Sequence, residues 1–272
     1  MTALWIVLAL LAVAAAVGGF CLWWFWLRLL PVDWRKCTLA SLWDGSDAQR
    51  RMMNMLSPSM SDGKFRDYLK WQKKDRGANT VHLILANQGD GENAVYSIYG
   101  PGIDWTVDKG VAEKMLERIK ECRKAGMGVV MWLITDDSSA MNKLILSDPA
   151  RYVGDLKKLG LFKFASIVCL GLELSDSART VAPIAALEEA LRKVYKGKVA
   201  THDVSMSLRF AGLGDIVFAQ VQPETSDAAM LAFATKVKAT GKPCGIIEHR
   251  RNPDRARCEL LIKAGLPFVG NW

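Results

Sequence analysis

The sequence predicts an α/β protein, a (β/α)8 TIM barrel preceded by a single transmembrane helix. Three observations predict this fold: an uncharged apolar stretch opens the chain of 272 residues, eight short apolar runs follow it, and longer amphipathic stretches separate the runs. Parallel strands that are covered by helices produce this alternation. Since the remainder has about the length of one barrel domain, we expect an anchor at residues 1–30, a linker at 31–36 and a barrel at 37–272.

The N-terminal stretch from Leu4 to Leu27 contains no charged residue. About 20 apolar residues suffice to cross a bilayer as a helix. Trp23, Trp24 and Trp26 lie at the C-terminal end of the stretch, where indole rings favour the headgroup region. A spanning helix is therefore predicted. A cleaved signal peptide is the alternative, although no basic residue opens the chain as it would in such peptides.

The apolar runs after the anchor number eight, which is the strand count of a closed barrel. They are rich in β-branched residues and have the length of strands. The predicted strands are Cys37–Leu42, Asn79–Asn87, Gly128–Thr135, Ser166–Glu173, Lys198–Asp203, Asp215–Gln222, Pro243–Glu248 and Pro267–Gly270. Eight βα units close into a barrel more readily than they form an open sheet, and an open doubly wound sheet is the alternative.

The stretches between the runs have helical periodicity, and several of them end at a glycine. The predicted helices are Asp62–Arg76, Val107–Ala125, Pro149–Leu159, Val181–Tyr195, Asp227–Thr240 and Pro253–Ala264. The connection Ser205–Gly214 is too short for a full helix, and no helix is predicted after the eighth strand, so we expect the eighth helix of the barrel to be missing. The long loop Gln88–Trp105 is a candidate wall of a binding site.

Polar side chains follow nearly every predicted strand. Because the active site of such a barrel lies at the C-terminal ends of its strands, we expect these side chains to converge on one mouth. They are Trp43, Asp44, Asn87, Asp136, Asp137, Glu173, His202, Asp203, Gln220, Gln222, Glu248, His249, Asn271 and Trp272. Acids and amides hydrogen-bond sugar hydroxyls, and indole faces stack on the apolar side of a pyranose ring. The predicted partner is therefore a carbohydrate.

Two glutamates among these residues could carry catalysis. Glu173 ends the fourth predicted strand in the segment IVCLGLE, and Glu248 ends the seventh in CGIIE. Two carboxylates that flank a glycosidic bond can divide acid and nucleophile roles. On these segments the chain resembles the clan A glycoside hydrolases, which are retaining (β/α)8 enzymes. The resemblance implies Glu173 as the acid/base, Glu248 as the nucleophile, carboxyl groups about 5 to 5.5 Å apart, and Trp272 in the floor of the sugar site.

The sequence also departs from the pattern of that clan. Leu172 precedes Glu173 where the clan usually has asparagine. The sixth strand ends with Gln220 and Gln222 where an aromatic hydroxyl often orients the nucleophile. These departures favour the alternative of a catalytically inactive barrel that binds glycan or serves as a structural protein, for example in a virion. The strings LWDGS at 42–46 and YSIYG at 96–100 are loosely similar to glycosidase-type barrels that tailed bacteriophages encode.

No cofactor and no metal are expected. His82 lies inside an apolar strand, where a core histidine with satisfied hydrogen bonds is the simplest interpretation. The cysteines after the anchor occur singly and without metal-ligand spacing, so buried free thiols are predicted. The formal net charge of +8 is spread along the chain and carries no nucleic-acid signature.

The side of the membrane is left open by the sequence. Arg28, Arg35 and Lys36 follow the span and favour a cytoplasmic barrel, whereas a cell-envelope glycan would lie on the opposite side. The favoured function is a membrane-anchored glycoside hydrolase that acts on a polysaccharide or cell-envelope glycan. A different barrel hydrolase or lyase that uses Asp136 or His202 is a further alternative.

Overall fold

The computed structural model of the chain describes residues 40–41, 62–75, 79–87, 96–99, 103–135, 139–177, 180–204, 206–248 and 255–271. The strands are β1 (Ala40–Ser41), β2 (Thr80–Ile84), β3 (Ala86–Asn87), β4 (Tyr96–Ser97), β5 (Gly128–Trp132), β6 (Ile167–Cys169), β7 (Lys198–Asp203), β8 (Ile216–Gln220), β9 (Cys244–Glu248) and β10 (Phe268–Asn271). Strands β3 and β4 form a separate antiparallel pair, and the others form a closed barrel.

Helices connect most of the barrel strands. They are α1 (Asp62–Asp75), α2 (Lys109–Lys124), α3 (Ser139–Ser147), α4 (Pro149–Lys158), α5 (Leu174–Ser177), α6 (Val181–Val194), α7 (Asp227–Lys238) and α8 (Arg255–Lys263). Side-chain caps fix the start of three of them, α2, α4 and α7. The carboxylates of Asp108 and Asp148 accept from the backbone N–H of Val111 and Arg151, and the Ser226 hydroxyl accepts from the N–H of Ala229. Helix α2 therefore begins after Asp108 and not at the predicted Val107.

The barrel closes because β1 pairs with both of its neighbours. Ala40 lies opposite Thr80 of β2 on one side and opposite Gly270 of β10 on the other. All pairings within the barrel are parallel, so the C-terminal ends of the strands lie at one end of it. The predicted barrel is confirmed. The open doubly wound sheet is wrong, because such a sheet has two unpaired edge strands.

Aromatic and imidazole rings fill the interior of the barrel. The ring of His82 on β2 lies 4.8 Å from Trp132 on β5 and 6.1 Å from Phe218 on β8, measured between ring centroids. Phe218 in turn lies 5.3 Å from Phe268 on β10. All four side chains are buried. Because the contact between β2 and β8 crosses the barrel, the interior is a packed core and not a pore.

The outer faces of the strands pack against the helices. On β8 and β9, Val217, Ala219, Cys244 and Ile246 belong to one buried cluster with residues of α7 and α8. Since successive side chains of a strand point to opposite faces, the intervening Phe218 lies on the inner face. Burial on both faces explains why the strands are continuous apolar runs in the sequence.

The connection between β7 and β8 has no helix among its described residues, as its length predicted. The Lys242 ammonium donates to the carbonyl oxygens of residues 211–214 at 2.8 to 3.0 Å. The Glu188 carboxylate accepts from the N–H of Gly214 at 3.1 Å. These charge-assisted hydrogen bonds hold a turn that would otherwise leave several carbonyl groups without partners.

The structure corrects the ends of two predicted strands. Strand β2 ends at Ile84, and Asn87 lies in the separate pair opposite Tyr96, because the following loop folds back antiparallel onto it. The prediction that Asn87 ends a barrel strand is therefore wrong. Strand β6 ends at Cys169, so Glu173 lies four residues beyond it, immediately before the unpredicted helix α5.

The predicted anchor at 1–30 and linker at 31–36 lie outside the described residues. Within the ranges that the structure does describe, no helix is both long enough and apolar enough to cross a membrane. The anchor stays a prediction.

Candidate active site

The candidate site lies at the C-terminal end of the barrel strands. The structure describes the side chains of five predicted mouth residues, which are Glu173, His202, Asp203, Gln220 and Gln222. It describes only the backbone of Asn87, Glu248 and Asn271. The remaining predicted residues lie outside the described ranges; they are Trp43, Asp44, Asp136, Asp137, His249 and Trp272.

Glu173 is held in an unusual backbone conformation beyond the end of β6. Its φ is +47°, in the left-handed region that residues other than glycine seldom adopt. The N–H of Leu172 donates to the carbonyl oxygen of Ile134 at 2.9 Å, and the N–H of Glu173 donates to Nδ1 of His202 at 3.3 Å. Strained backbone of this kind concentrates at functional sites. The Glu173 side chain is half-buried.

Glu248 is the last residue of β9, at a shift in strand register. Ala219 lies opposite Ile246, whereas the next residue of β8, Gln220, lies opposite Glu248. Ile247 is therefore the additional residue of a β-bulge. Bulges bend the strand that carries them and are frequent next to active sites.

Gln220 and Gln222 follow each other along the end of β8. Gln220 is the last residue of the strand and is buried, and its Oε1 has no hydrogen-bond partner among the described residues. Gln222 lies just beyond the strand and is half-buried, and its backbone carbonyl oxygen accepts from the N–H of Thr225 at 2.9 Å. The side-chain amide of Gln220 thus has unused hydrogen-bonding capacity.

Two buried histidines, His82 and His202, contact the same indole ring, that of Trp132. The imidazole of His202 is stacked on Trp132 at 5.8 Å with an angle of 5° between the planes, and His82 contacts the same indole. Burial lowers the pKa of His202 to about 3. Burial, with a contribution from the neighbouring His202, also lowers the pKa of His82 well below its usual range. Both rings are therefore neutral at physiological pH.

The hydrogen bonds of these histidines differ from the prediction for His82. His82 is buried as expected, but neither of its ring nitrogens has a hydrogen-bond partner among the described residues. The prediction of a satisfied core histidine is therefore wrong. Nδ1 of His202 accepts from the Glu173 N–H, so the proton of this neutral ring is on Nε2, which also lacks a partner within the described part of the chain.

Asp203 was identified only as a polar strand end, and its structural role was missed. Its carboxylate accepts from the hydroxyl of Ser175 in α5, from the hydroxyl of Ser207 at 3.1 Å and from the N–H of Phe210 at 3.1 Å. Burial raises the pKa of Asp203, against the lowering effect of the hydrogen bonds from the Phe210 N–H and the Ser207 hydroxyl. The carboxylate thereby joins helix α5 to the segment that follows β7. No sequence signal marks Ser175 as its partner, because the two residues are far apart in the chain.

The four cysteines that the structure describes are buried and form no disulfide bonds. Cys122, Cys169, Cys244 and Cys258 are all free and buried, which confirms the prediction for these four. Within the described ranges, no three His, Cys, Asp or Glu side chains are grouped as a metal site would require.

Solved structures of glycoside hydrolases have the same fold as this chain. A β-1,4-mannanase of family GH113 aligns with a TM-score of 0.54 and 13% identity, over 87% of this chain and 87% of that chain. GH5_18 from Bifidobacterium longum subsp. longum aligns with a TM-score of 0.61 and 13% identity, over 87% of this chain and 69% of that chain. A β-glycosidase aligns with a TM-score of 0.57 and 10% identity, over 81% and 76%.

These similarities concern the fold. No protein-family model matches the sequence, and no curated protein matches it. The looser similarity to phage-encoded barrels receives no support from the comparisons and stays a prediction. The resemblance to the clan A glycoside hydrolases is confirmed at the level of the fold, so the chain has the (β/α)8 architecture that these enzymes share.

Proposed function

We propose that the chain is a retaining glycoside hydrolase in which Glu173 is the general acid/base and Glu248 the nucleophile. One observation carries the proposal: in a closed parallel barrel, one glutamate lies just beyond the fourth strand and another is the last residue of the seventh. The C-terminal ends of all strands in a parallel barrel meet at one mouth, where barrel enzymes have their active sites. Support also comes from the fold, which solved glycoside hydrolases share.

The first chemical step cleaves the glycosidic bond. The protonated carboxyl group of Glu173 donates its proton to the glycosidic oxygen while the bond between that oxygen and C1 breaks. The carboxylate of Glu248 attacks C1 from the opposite face and forms a glycosyl ester. The leaving sugar departs with the proton, and Glu173 is left as a carboxylate.

The second step releases the bound sugar. The Glu173 carboxylate takes a proton from a water molecule, whose oxygen attacks C1, and the ester bond to Glu248 breaks. Both carboxyl groups return to their starting protonation states. Because C1 is inverted twice, the sugar keeps its anomeric configuration. This mechanism requires the two carboxyl groups to lie about 5 to 5.5 Å apart.

The proposed substrate is a polysaccharide or cell-envelope glycan. The indoles of Trp43 and Trp272 are proposed to stack on sugar rings, and polar side chains of the mouth to bind hydroxyl groups. Those proposed for hydrogen bonding are Asp44, Asn87, Asp136, Asp137, Gln220 and Gln222. One neighbour is a β-1,4-mannanase, and a GH5_18 structure contains Manβ1-4GlcNAc, so β-linked mannosides come first in a substrate test.

Membrane attachment by the apolar stretch Leu4–Leu27 is part of the proposal. An anchored chain would stay in the membrane pellet after alkaline carbonate extraction, and its intact mass would include the residues from Met1 onward. A soluble product that begins after the stretch would instead identify a cleaved signal peptide and contradict the anchor.

A second candidate function is a glycan-binding barrel without catalysis. Leu172 carries this alternative, because its side chain is apolar and buried where the clan A enzymes usually have an asparagine before the acid/base. A leucine cannot donate a hydrogen bond to a sugar hydroxyl. A barrel that binds glycan but lacks this contact would hold its ligand and leave the bond intact.

Hydrolysis by the full chain tests both candidates. The substrates are aryl β-mannosides, aryl β-glucosides, β-1,4-mannan and bacterial envelope polysaccharides. Wild type is compared with Glu173→Gln, Glu248→Gln and the control Glu113→Gln, which changes an exposed carboxylate on α2. The proposal expects turnover by wild type and the control and loss of at least about 1,000-fold in both site variants. Glycan binding without any turnover would support the second candidate.

A further inference from the structure

We propose that the end of strand β7 is a clamp for the acid/base residue, in which His202 and Asp203 are positioning residues and not sugar ligands. The inference rests on the function proposed for Glu173. It concerns two consecutive residues that contact the segment Glu173–Ser177 at two points.

The first contact fixes the backbone at Glu173 itself. A residue with a β-carbon seldom keeps a φ of +47° unless its surroundings hold it there. Nδ1 of His202 accepts from the N–H of this residue, and the N–H of the preceding Leu172 is bonded to Ile134. The direction in which the Glu173 side chain leaves the backbone therefore depends on the imidazole.

The imidazole is suited to this role because burial and stacking restrict rotation of its ring. His202 is fully buried, and its ring is stacked on the indole of Trp132 with 5° between the planes. A neutral ring presents one acceptor and one donor, and here the acceptor is used by Glu173.

The second contact fixes the first turn of helix α5. The hydroxyl of Ser175 donates to the carboxylate of Asp203, which is itself held by Ser207 and the N–H of Phe210. Asp203 is therefore attached to the turn that follows β7 and holds α5 from that side. His202 and Asp203 together restrain the chain on both sides of Leu174.

An acid/base needs such restraint because its proton must reach one oxygen atom of the substrate. Catalytic groups are effective when they are held within about 0.5 Å of the productive position, and residues behind them provide this precision. Helix α5 has only four residues and cannot hold Glu173 by its own hydrogen bonds. The two contacts from β7 restrain this segment from the neighbouring strand.

The test compares one variant that loses the hydrogen-bond acceptor with another that loses the aromatic ring. His202→Phe keeps a stacking ring and removes the acceptor, whereas His202→Asn removes the ring and keeps an acceptor near the position of Nδ1. His82→Phe is the matched control, since His82 is a buried imidazole on the same indole without a bond to Glu173. Each variant of the full chain is assayed for kcat, for KM and for hydrogen–deuterium exchange in the peptide that contains Glu173.

The clamp predicts that His202→Phe lowers kcat about tenfold, changes KM less than about twofold and speeds exchange at Glu173 about tenfold. His202→Asn restores part of both kcat and protection, and His82→Phe changes neither. Unchanged kcat and exchange in His202→Phe would overturn the clamp. The same result for His82→Phe as for His202→Phe would also overturn it, because a general loss of packing would then explain both.

A second variant covers the case in which His202→Phe does not fold. Ser175→Ala removes the donor to Asp203 from a half-buried site and leaves the barrel core unchanged. It is expected to speed exchange at Glu173 and to lower kcat, and no change in either would overturn the clamp. Absence of turnover in wild type would refute the proposed hydrolase alone, since the exchange rates still decide whether the clamp exists.

Discussion

Gln220 lies opposite Glu248 at the bulge between β8 and β9. The side chain of Gln220 is buried, and its Oε1 has no hydrogen-bond partner among the described residues. A buried oxygen without a partner costs about 1 to 3 kcal/mol. Proteins accept such costs where a ligand can supply the missing partner. Next to the proposed nucleophile, a sugar hydroxyl is a suitable donor.

Replacing Gln220 is therefore expected to raise stability and lower activity. In Gln220→Met, the free energy of unfolding rises by about 1 kcal/mol because the unsatisfied oxygen is gone, while kcat/KM falls. Urea unfolding and initial rates measure the two effects. The matched control is Gln72→Met, which removes a buried amide that is bonded to the Tyr68 hydroxyl and should lower stability. A loss of stability in both variants would contradict the account.

The left-handed backbone of Glu173 predicts an unusual preference for glycine. Alanine at φ +47° keeps the clash of its β-carbon, whereas glycine does not. Glu173→Gly should be more stable than Glu173→Ala by about 1 kcal/mol in urea unfolding. At the exposed Glu189, in the middle of α6, the glycine variant should instead be less stable than the alanine variant, because glycine is a poor helix former. Equal signs at the two positions would show that Glu173 is unstrained.

Gly245 on β9 is expected to tolerate no side chain. A β-carbon there would lie 2.2 Å from the carbonyl oxygen and 2.5 Å from Cβ of Phe268 on the neighbouring strand. Gly245→Ala should therefore cost at least about 3 kcal/mol in unfolding free energy or prevent folding. Gly154→Ala is the control, because nothing lies within 4 Å of the added carbon in α4. Its stability should rise by about 0.5 to 1 kcal/mol, and similar effects at both glycines would refute the packing.

The buried histidines predict that stability falls with acidity. Their pKa values are lowered in the folded state, so below a pH of about 6.5 the unfolded chain binds more protons than the folded one. Above that pH both histidines are neutral in the folded and in the unfolded chain, and burying them requires no loss of a proton. As the pH falls below about 6.5, the free energy of unfolding decreases by about 1.4 kcal/mol per pH unit for each histidine.

Urea unfolding between pH 7 and pH 4.5 measures this dependence. His82→Phe removes one of the two titrating groups, so the slope of unfolding free energy against pH should fall by about 1.4 kcal/mol per unit. Carboxylates with lowered pKa values, such as those of Asp62 and Asp215, titrate at lower pH and are present in both proteins. Equal slopes in wild type and variant would mean that His82 is not buried as a neutral ring.

The strand order of the barrel could be predicted from the sequence because burial on both faces gives each strand a distinct apolar run. Helix limits were predicted less well, since they depend on single side chains such as Asp108, which caps α2. The end of β2 was missed because Asn87 pairs with Tyr96 from a distant part of the following loop. Hydropathy carries no signal for such a pairing.

The candidate site was predictable only as a set of strand ends. The position of Glu173 in sequence marks it as a candidate, but its backbone conformation depends on His202 from another strand. The sequence likewise places His82 in an apolar run without showing that it shares Trp132 with His202. These relationships arise from closure of the barrel, which brings separate strands to one interior.

The measurement that most directly tests the central claim is covalent trapping of the proposed nucleophile. The full chain is incubated with a 2-deoxy-2-fluoro glycosyl fluoride of the sugar that it hydrolyses, and its mass is measured before and after digestion. The two-glutamate mechanism predicts a single glycosyl adduct on the peptide that contains Glu248, formed by wild type and Glu173→Gln and absent from Glu248→Gln. Hydrolysis without an adduct, or an adduct on another residue, would contradict it.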